Sequence, residues 1–349
     1  MQHAHPTIVV GLDVGDVTTQ VFALDGSSGE ILIEAGVATT RTAVRKLLAD
    51  LPRSRVVLEV GTHSRWLSAL LQEMGHEVVV ANARRLRMIF ADTHKSDRID
   101  AVKLARVGRF DPTLLCPSRH RGLQSHHDLS VVRARAHAVG LRTATINLVR
   151  GMVKSSGERL PRCTTPYFAK RMRERIPDGL RAALDPMLDL VEKLDAVIAS
   201  YDVQLSALSK ERYPETARLA QVYGVGELTA LTYVLTLEDP ARFRKSRDVG
   251  PALGLVPRRS QSGDVDRQMS ITRTGDRYLR SLLVEAAHCM MRTRAPDSDL
   301  KRWGQDHASR GGRNARKRVL VAVARRLAVL LHRLWVTGAR YEPLWKDAA

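Results

Sequence analysis

Thr7-Ile8-Val9-Val10-Gly11-Leu12-Asp13-Val14-Gly15 is a short apolar run, β-branched over its first four residues and closed by glycine. That is the pattern of a buried β-strand. One carboxylate, Asp13, falls at its end. Residues 17–25 resume as a β-rich run, and Gly26-Ser27-Ser28-Gly29 follows as a turn signal, so the opening reads as a hairpin. A carboxylate inside a sheet is costly unless a cation or hydrogen bonds offset it. Asp13 therefore reads either as a metal ligand or as a structural aspartate satisfied by backbone.

Working outward, a third strand is expected over 31–35 and an amphipathic helix over 40–51. Arg55-Val56-Val57-Leu58-Glu59-Val60-Gly61 then repeats the opening device, an apolar strand ending in a carboxylate and a glycine. A helix over 64–74 and a buried strand over 77–81 complete the order β-β-β-α-β-α-β-α, which belongs to ribonuclease-H-like α/β folds. The first and fourth strands are neighbours in such a sheet, which places Asp13 close to Glu59. Next, Asp97 and Asp100 stand three apart, on one face of the first turn of a helix. Acids there complement the helix dipole by themselves. Four carboxylates at element ends also suit two Mg2+ ions on a phosphodiester.

The chain as a whole is basic. Its 56 Lys+Arg against 37 Asp+Glu leave a net charge of +19 and a pI near 10.5, which points to a polyanionic partner. Cys116, Cys163 and Cys289 share no metal-ligand spacing. No run reaches the length of a membrane span and no signal-peptide core is present, so a cytoplasmic protein is expected. A helix over 128–154 carries Arg133, Arg135, Arg142, Arg150 and Lys154 away from its apolar side, with His120, His126, His127 and His137 near it as polar or nucleic-acid contacts. Leu180, Leu184, Met187, Val191, Leu194, Ile198, Tyr201, Leu205 and Leu208 alternate four and three apart, a coiled-coil seam. Pro186 suits a first helical position, so the helix is expected to start there, and the seam is expected to join copies of the chain.

Gly224-Val225-Gly226 reads as a helix-hairpin-helix turn, whose glycines let backbone approach a phosphate. A polar loop is expected from Pro257-Arg258-Arg259-Ser260-Gln261-Ser262-Gly263 to Gly275, then a helix over 276–291. The last helix, 314–335, is apolar on one side and basic on the other. Trp303, Trp335 and Trp345 read as core or interface residues.

Gly11-Leu12-Asp13, Leu58-Glu59-Val60-Gly61-Thr62 and Lys95-Ser96-Asp97-Arg98-Ile99-Asp100-Ala101 resemble, in order and spacing, the three acidic motifs of the DEDD transposases of the insertion-sequence-110 (IS110/IS1111) class. The segment around Ser262 resembles the C-terminal transposase domain of that family. The resemblance implies a RuvC-like domain over 1–125, a helical linker and coiled coil over 126–210, and a mainly α transposase domain over 211–349. It implies a nucleophilic Ser262, with Ser260 the nearest rival and Ser270 a distant third. Such a hydroxyl attacks a DNA phosphate and conserves the bond energy in a phosphoserine linkage. It implies Asp13, Glu59, Asp97 and Asp100 as ligands of Mg2+ (or Mn2+), and these ligands must meet Ser262 within one subunit or between subunits. Arg258, Arg259, Arg267 and Arg273, with Gly224 and Gly226, are the expected nucleic-acid contacts. The partners implied are donor and target DNA, an element-encoded bridge RNA and further copies of the chain, dimer or tetramer. A RuvC-like metal nuclease acting through water is the main alternative. An actin-like ATPase or sugar kinase would need a second sheet domain, which the helical, basic second half does not offer.

Overall fold

The computed structural model describes residues 6–82, 97–312 and 314–344. The chain forms two compact units, Met1–His120 and Arg121–Ala349.

The first unit is a mixed five-stranded sheet with helices on both faces. Its elements are β1 (Ile8–Val14), β2 (Thr18–Asp25), β3 (Ile31–Ala38), α1 (Arg41–Leu48), β4 (Arg55–Glu59), α2 (Ser64–Glu73), β5 (Glu77–Ala81) and α3 (Asp97–Phe110). The strand order is β3-β2-β1-β4-β5. β1 pairs antiparallel with β2 and parallel with β4, so the expected adjacency of the first and fourth strands is present. Alternation along each strand builds two cores. Val10, Leu12, Val56 and Leu58 face α1 and α2 with Val44, Leu67 and Leu71. Val9 and Val57 face Leu104 of α3.

The second unit is helical. Its elements are α4 (Leu123–Ser155), α5 (Phe168–Met172), α6 (Asp178–Glu211), α7 (Glu215–Leu219), α8 (Glu227–Leu237), α9 (Val249–Ala252), the strands β6 (Pro257–Ser262) and β7 (Val265–Ile271), then α10 (Arg277–Met290), α11 (Asp299–Ser309) and α12 (Ala315–Thr337). Its largest core gathers Tyr233, Val234, Leu279, Leu283, Val323, Leu327 and Leu331 around the buried helix α8. No helix among the described residues is long and apolar enough to cross a membrane.

Three expectations change. The helix expected to begin at Pro186 begins at Asp178 and runs through the proline. An internal proline costs about 3 kcal/mol, but Leu184, Leu188 and Val191 bury beside Val149, Val153 and Phe168 on both sides of it, at about 1.5–3 kcal/mol each. The seam of α6 is filled by the chain's own α4, with Leu205 beside Leu129 and Val132 and Ile198 beside Ala138, rather than by a second copy. The polar loop is an antiparallel hairpin. Its residues are exposed on both faces, so no apolar alternation marks it as strand. Trp303 and Trp335 pack on the large core as expected; Trp345 lies outside the described residues.

Candidate nucleic-acid processing site

The acidic residues collect at one end of the sheet. The β1–β4 register pairs Leu12 with Leu58, and Asp13 and Glu59 are the next residue of each strand, both partly buried. Helix α3 crosses the same two strands. A Cβ on Gly11 would stand 2.1 Å from the Ala101 carbonyl oxygen and 2.6 Å from the Ala105 nitrogen, and one on Gly108 would stand 2.4 Å from Val57 Cγ2 and 3.5 Å from Val9 Cγ1. The helix therefore runs opposite to β1, and its start points toward the carboxyl ends of the strands. From the Gly11 contact to Asp97 is about 9 Å of helix, and from Gly11 to Asp13 about 7 Å of strand. Asp97 and Asp100 thus reach the level of Asp13 and Glu59. Asp97 is exposed and Asp100 partly buried. Lys95 and Ser96 of the same motif lie outside the described residues.

Arg98, between the two aspartates, pairs with Glu34 of β3. That hydrogen bond holds the Glu34 carboxyl below its ordinary range and ties the start of α3 to the sheet edge. Elsewhere in the first unit, Trp66 Nε1 donates to His63 Nδ1 at 3.0 Å, and His63 Nε2 lies 3.0 Å from Asp16 Oδ1. Indole N–H only donates, so Nδ1 is the acceptor and Nε2 carries the proton toward Asp16. This oriented imidazole follows the Glu59 strand and was not singled out from the sequence, since Gly61-Thr62-His63 carries no spacing signal of its own.

All four acidic candidates offer carboxylate oxygen, the donor hard divalent cations such as Mg2+ prefer. Among the described residues, no three His, Cys, Asp or Glu side chains converge as a group that could hold a metal ion. The fit thus lies in donor chemistry and in placement at one sheet end, two acids on strands and two on the first turn of α3.

In the second unit Ser262 is the last residue of β6, paired with Val265 across the Gly263-Asp264 turn, and exposed. Ser260 pairs with Arg267 on the hairpin stem, and Ser270 is exposed on β7. Arg258, Arg259, Arg267 and Arg273 are all exposed. Arg259 alone among them makes a two-pronged ion pair, with Asp266 at 2.8 and 2.7 Å. Gly254 anchors the hairpin: its φ is +68° and a Cβ would stand 2.3 Å from the Thr274 nitrogen, so only glycine fits the crossing. At the foot of the hairpin a cleft is lined by Arg273, Arg277, Arg280, His288 and Arg292, with Glu285 the one acid of its lining. The basic residues of α10 were not singled out from the sequence, because their spacing along one helix does not show the cleft they line with the foot of the hairpin.

The helix-hairpin-helix glycines differ from each other. A Cβ on Gly224 would stand 2.8 Å from the Ala286 carbonyl oxygen, so this glycine packs on α10, while Gly226 has open space around it at the start of α8.

A family model described as a transposase, the DEDD transposase of the IS110 class, matches residues 10–157, and one described as the transposase IS116/IS110/IS902 family matches residues 216–302. Relatives include a probable family 20 transposase of Pseudomonas aeruginosa, 28% identical over 339 residues that cover 94% of this chain and 97% of the relative. The transposase for insertion sequence element IS1111A of Coxiella burnetii is 26% identical, covering 96% of this chain and 90% of its own. The transposase for IS1328 of Yersinia enterocolitica is 25% identical, with 92% and 94% covered. This chain carries the transposase domains of the IS110/IS116/IS902 family over residues 10–157 and 216–302, and it is a DNA transposase.

Proposed function

We propose that the enzyme cuts and rejoins DNA strands through Ser262, assisted by a divalent-metal site on Asp13, Glu59, Asp97 and Asp100. The observation that carries this reading is the arrival of two strand-end and two helix-start carboxylates at one end of a mixed sheet. We read that sheet as RuvC-like, and the chain as three functional parts, 1–125, 126–210 and 211–349. Mg2+ bound there supplies charge stabilisation for the phosphodiester's attacking and leaving oxygens. Asp13 and Glu59 bring their charge from a rigid sheet, while Asp97 and Asp100 bring theirs from a helix pinned to that sheet at Gly11.

Ser262 stands at a hairpin end that no packing covers, open to a strand of DNA. Its Oγ bonds to phosphorus as the bond from phosphorus to a deoxyribose oxygen breaks, and the freed sugar hydroxyl takes up the proton. A second sugar hydroxyl reverses the step and restores the serine. Arg258, Arg267 and Arg273 hold the phosphates, and Arg259, already paired with Asp266, stiffens the hairpin. Gly226, open at the start of α8, is the helix-hairpin-helix glycine free to meet a phosphate. An element-encoded bridge RNA that selects donor and target DNA, and assembly of several copies, complete the reading.

The test is cleavage of element-end DNA with Mg2+ and the element's RNA, followed by a search for protein–DNA adducts. An adduct in the wild type that disappears in Ser262→Ala and in Asp13→Ala supports the mechanism. Cleavage without adduct that survives Ser262→Ala leaves a metal nuclease acting through water.

A further inference from the structure

The C-terminal tail after α12 crosses the turn between α7 and α8. The Tyr341 N–H donates to Gln221 Oε1 at 3.2 Å, and the Asp299 N–H donates to the Pro343 carbonyl oxygen at 2.8 Å. Tail, turn and the end of α10 enclose a cavity of about 660 Å3, lined by Tyr223, Gly224, Met290, Asp297, Arg340 and Tyr341 among others. Cavities of that size take small organic ligands. Two groups set its chemistry. Tyr223 is 46% exposed, an aromatic ring that the chain's own packing leaves uncovered. Asp297, the one acid of the lining, is paired with Arg302 at 2.9 Å. Arg340, the one cation of the lining, is exposed and makes no ion pair among the described residues. A flat ring that stacks on tyrosine and adjoins a negative charge matches both groups, and a nucleobase beside its phosphate is such a ligand.

The cavity adjoins the basic cleft at the foot of the serine hairpin. Gly224 packs on α10 between the two, where a Cβ would stand 2.8 Å from the Ala286 carbonyl oxygen and 3.3 Å from Cys289 Cβ. Cys289 lines the cleft, and the next residue, Met290, lines the cavity. From Arg277 to Met290 is about 20 Å of helix. A strand whose phosphates follow Arg277, Arg280 and Arg292 along α10 therefore arrives beside the cavity. A base paired within a duplex keeps both faces stacked, so only an unpaired or extruded base can enter.

We infer that this cavity receives one unpaired nucleobase of the strand lying along α10, stacked on Tyr223 with Arg340 at its phosphate. The inference rests on the reading above that the basic residues around the hairpin hold nucleic acid, and it is independent of the serine and the metal. The test is binding of the full chain, by fluorescence anisotropy, to a short single-stranded DNA, the RNA of the same sequence and the blunt DNA duplex. Tyr223→Ala should raise the dissociation constant for a single strand about 5-fold or more and leave that for the duplex unchanged. Loss on the DNA strand, the RNA strand or both names the source of the base. Tyr223→Phe, which keeps the ring, should bind as wild type. Arg340→Ala, at an exposed tail position, should weaken the same single strand, and it carries the test if Tyr223→Ala lowers the melting temperature. Iodouracil placed in that strand should crosslink to Tyr223 on irradiation, read by mass spectrometry. Equal losses on duplex and single strand, or no loss on either single strand, overturn the base pocket. Arg277→Ala with Arg292→Ala tests the underlying reading separately: unchanged affinity and salt slope for all three probes would overturn the nucleic-acid path along α10 itself.

Discussion

Gly11 of β1 and Ala101 of α3 touch backbone to backbone: a Cβ at position 11 would stand 2.1 Å from the Ala101 carbonyl oxygen. That contact sets how far the start of α3 reaches along the sheet. Gly11→Ala is therefore expected to push the helix off the strand, at about 1–3 kcal/mol. The thermal midpoint should fall by several degrees, and cleavage should fall further than stability explains, since all four carboxylates remain while two have moved. Unchanged cleavage at a temperature where the variant is folded would show that the placement of α3 does not matter to the site.

Replacing any one of the four acids by its amide removes charge at nearly constant shape. Asp13→Asn, Glu59→Gln, Asp97→Asn and Asp100→Asn should each lower strand cleavage by about 100-fold or more, as loss of a charge-stabilising group does. Mg2+ should raise the melting temperature of the wild type, because a ligand that binds only the folded state stabilises it. The amide variants should lose that rise. A variant with a full Mg2+ response identifies a carboxylate outside the metal site.

The hairpin arginines differ in their pairing. Arg259 spends its charge on Asp266, whose hydrogen bond also raises the guanidinium's affinity for its proton. Arg267→Ala should weaken DNA binding across sequences and reduce the slope of log affinity against log salt by about 1. Arg259→Ala should change that slope less, because it frees Asp266 rather than removing an unpaired cation. Binding isotherms at four salt concentrations decide between them.

His76 makes the first unit sensitive to acid. It is buried, its Nδ1 accepts the Ser54 N–H at 3.3 Å, and its Nε2 has no partner among the described residues. Burial lowers the affinity of the imidazole for a proton. The unfolded chain then binds the proton first, so stability is complete above about pH 6.5 and is lost as pH falls from there. The melting temperature of His76→Gln should decline less between pH 7.5 and 5.5 than that of the wild type. Parallel declines would remove His76 as the cause.

The strand pattern of the first unit was legible because its sheet is buried. Ile8 to Leu12 and Val56 to Leu58 are apolar on both faces, and burial on both faces leaves that continuous signature. The ends carrying Asp13 and Glu59 were legible for the same reason, since a carboxylate closes each run. The β6–β7 hairpin was not legible: Arg258, Ser260, Arg267 and Gln268 all face water, and exposed strands impose no pattern. The start of α6 was misread at Pro186, because a local rule about proline could not foresee the packing of Leu184 and Leu188 on the far side of it.

The sequence by itself determined the order of the elements in the first unit, the basic character of the second half and which acids end which strands, because those depend on hydrophobic periodicity and local turn chemistry. Only the tertiary structure decided that α3 runs opposite to β1, that Gly224 packs on α10 while Gly226 stays open, and that the seam of α6 is filled by α4. These depend on contacts between residues far apart in the chain. Such contacts are set by shape and close packing, which leave no periodic mark in the sequence.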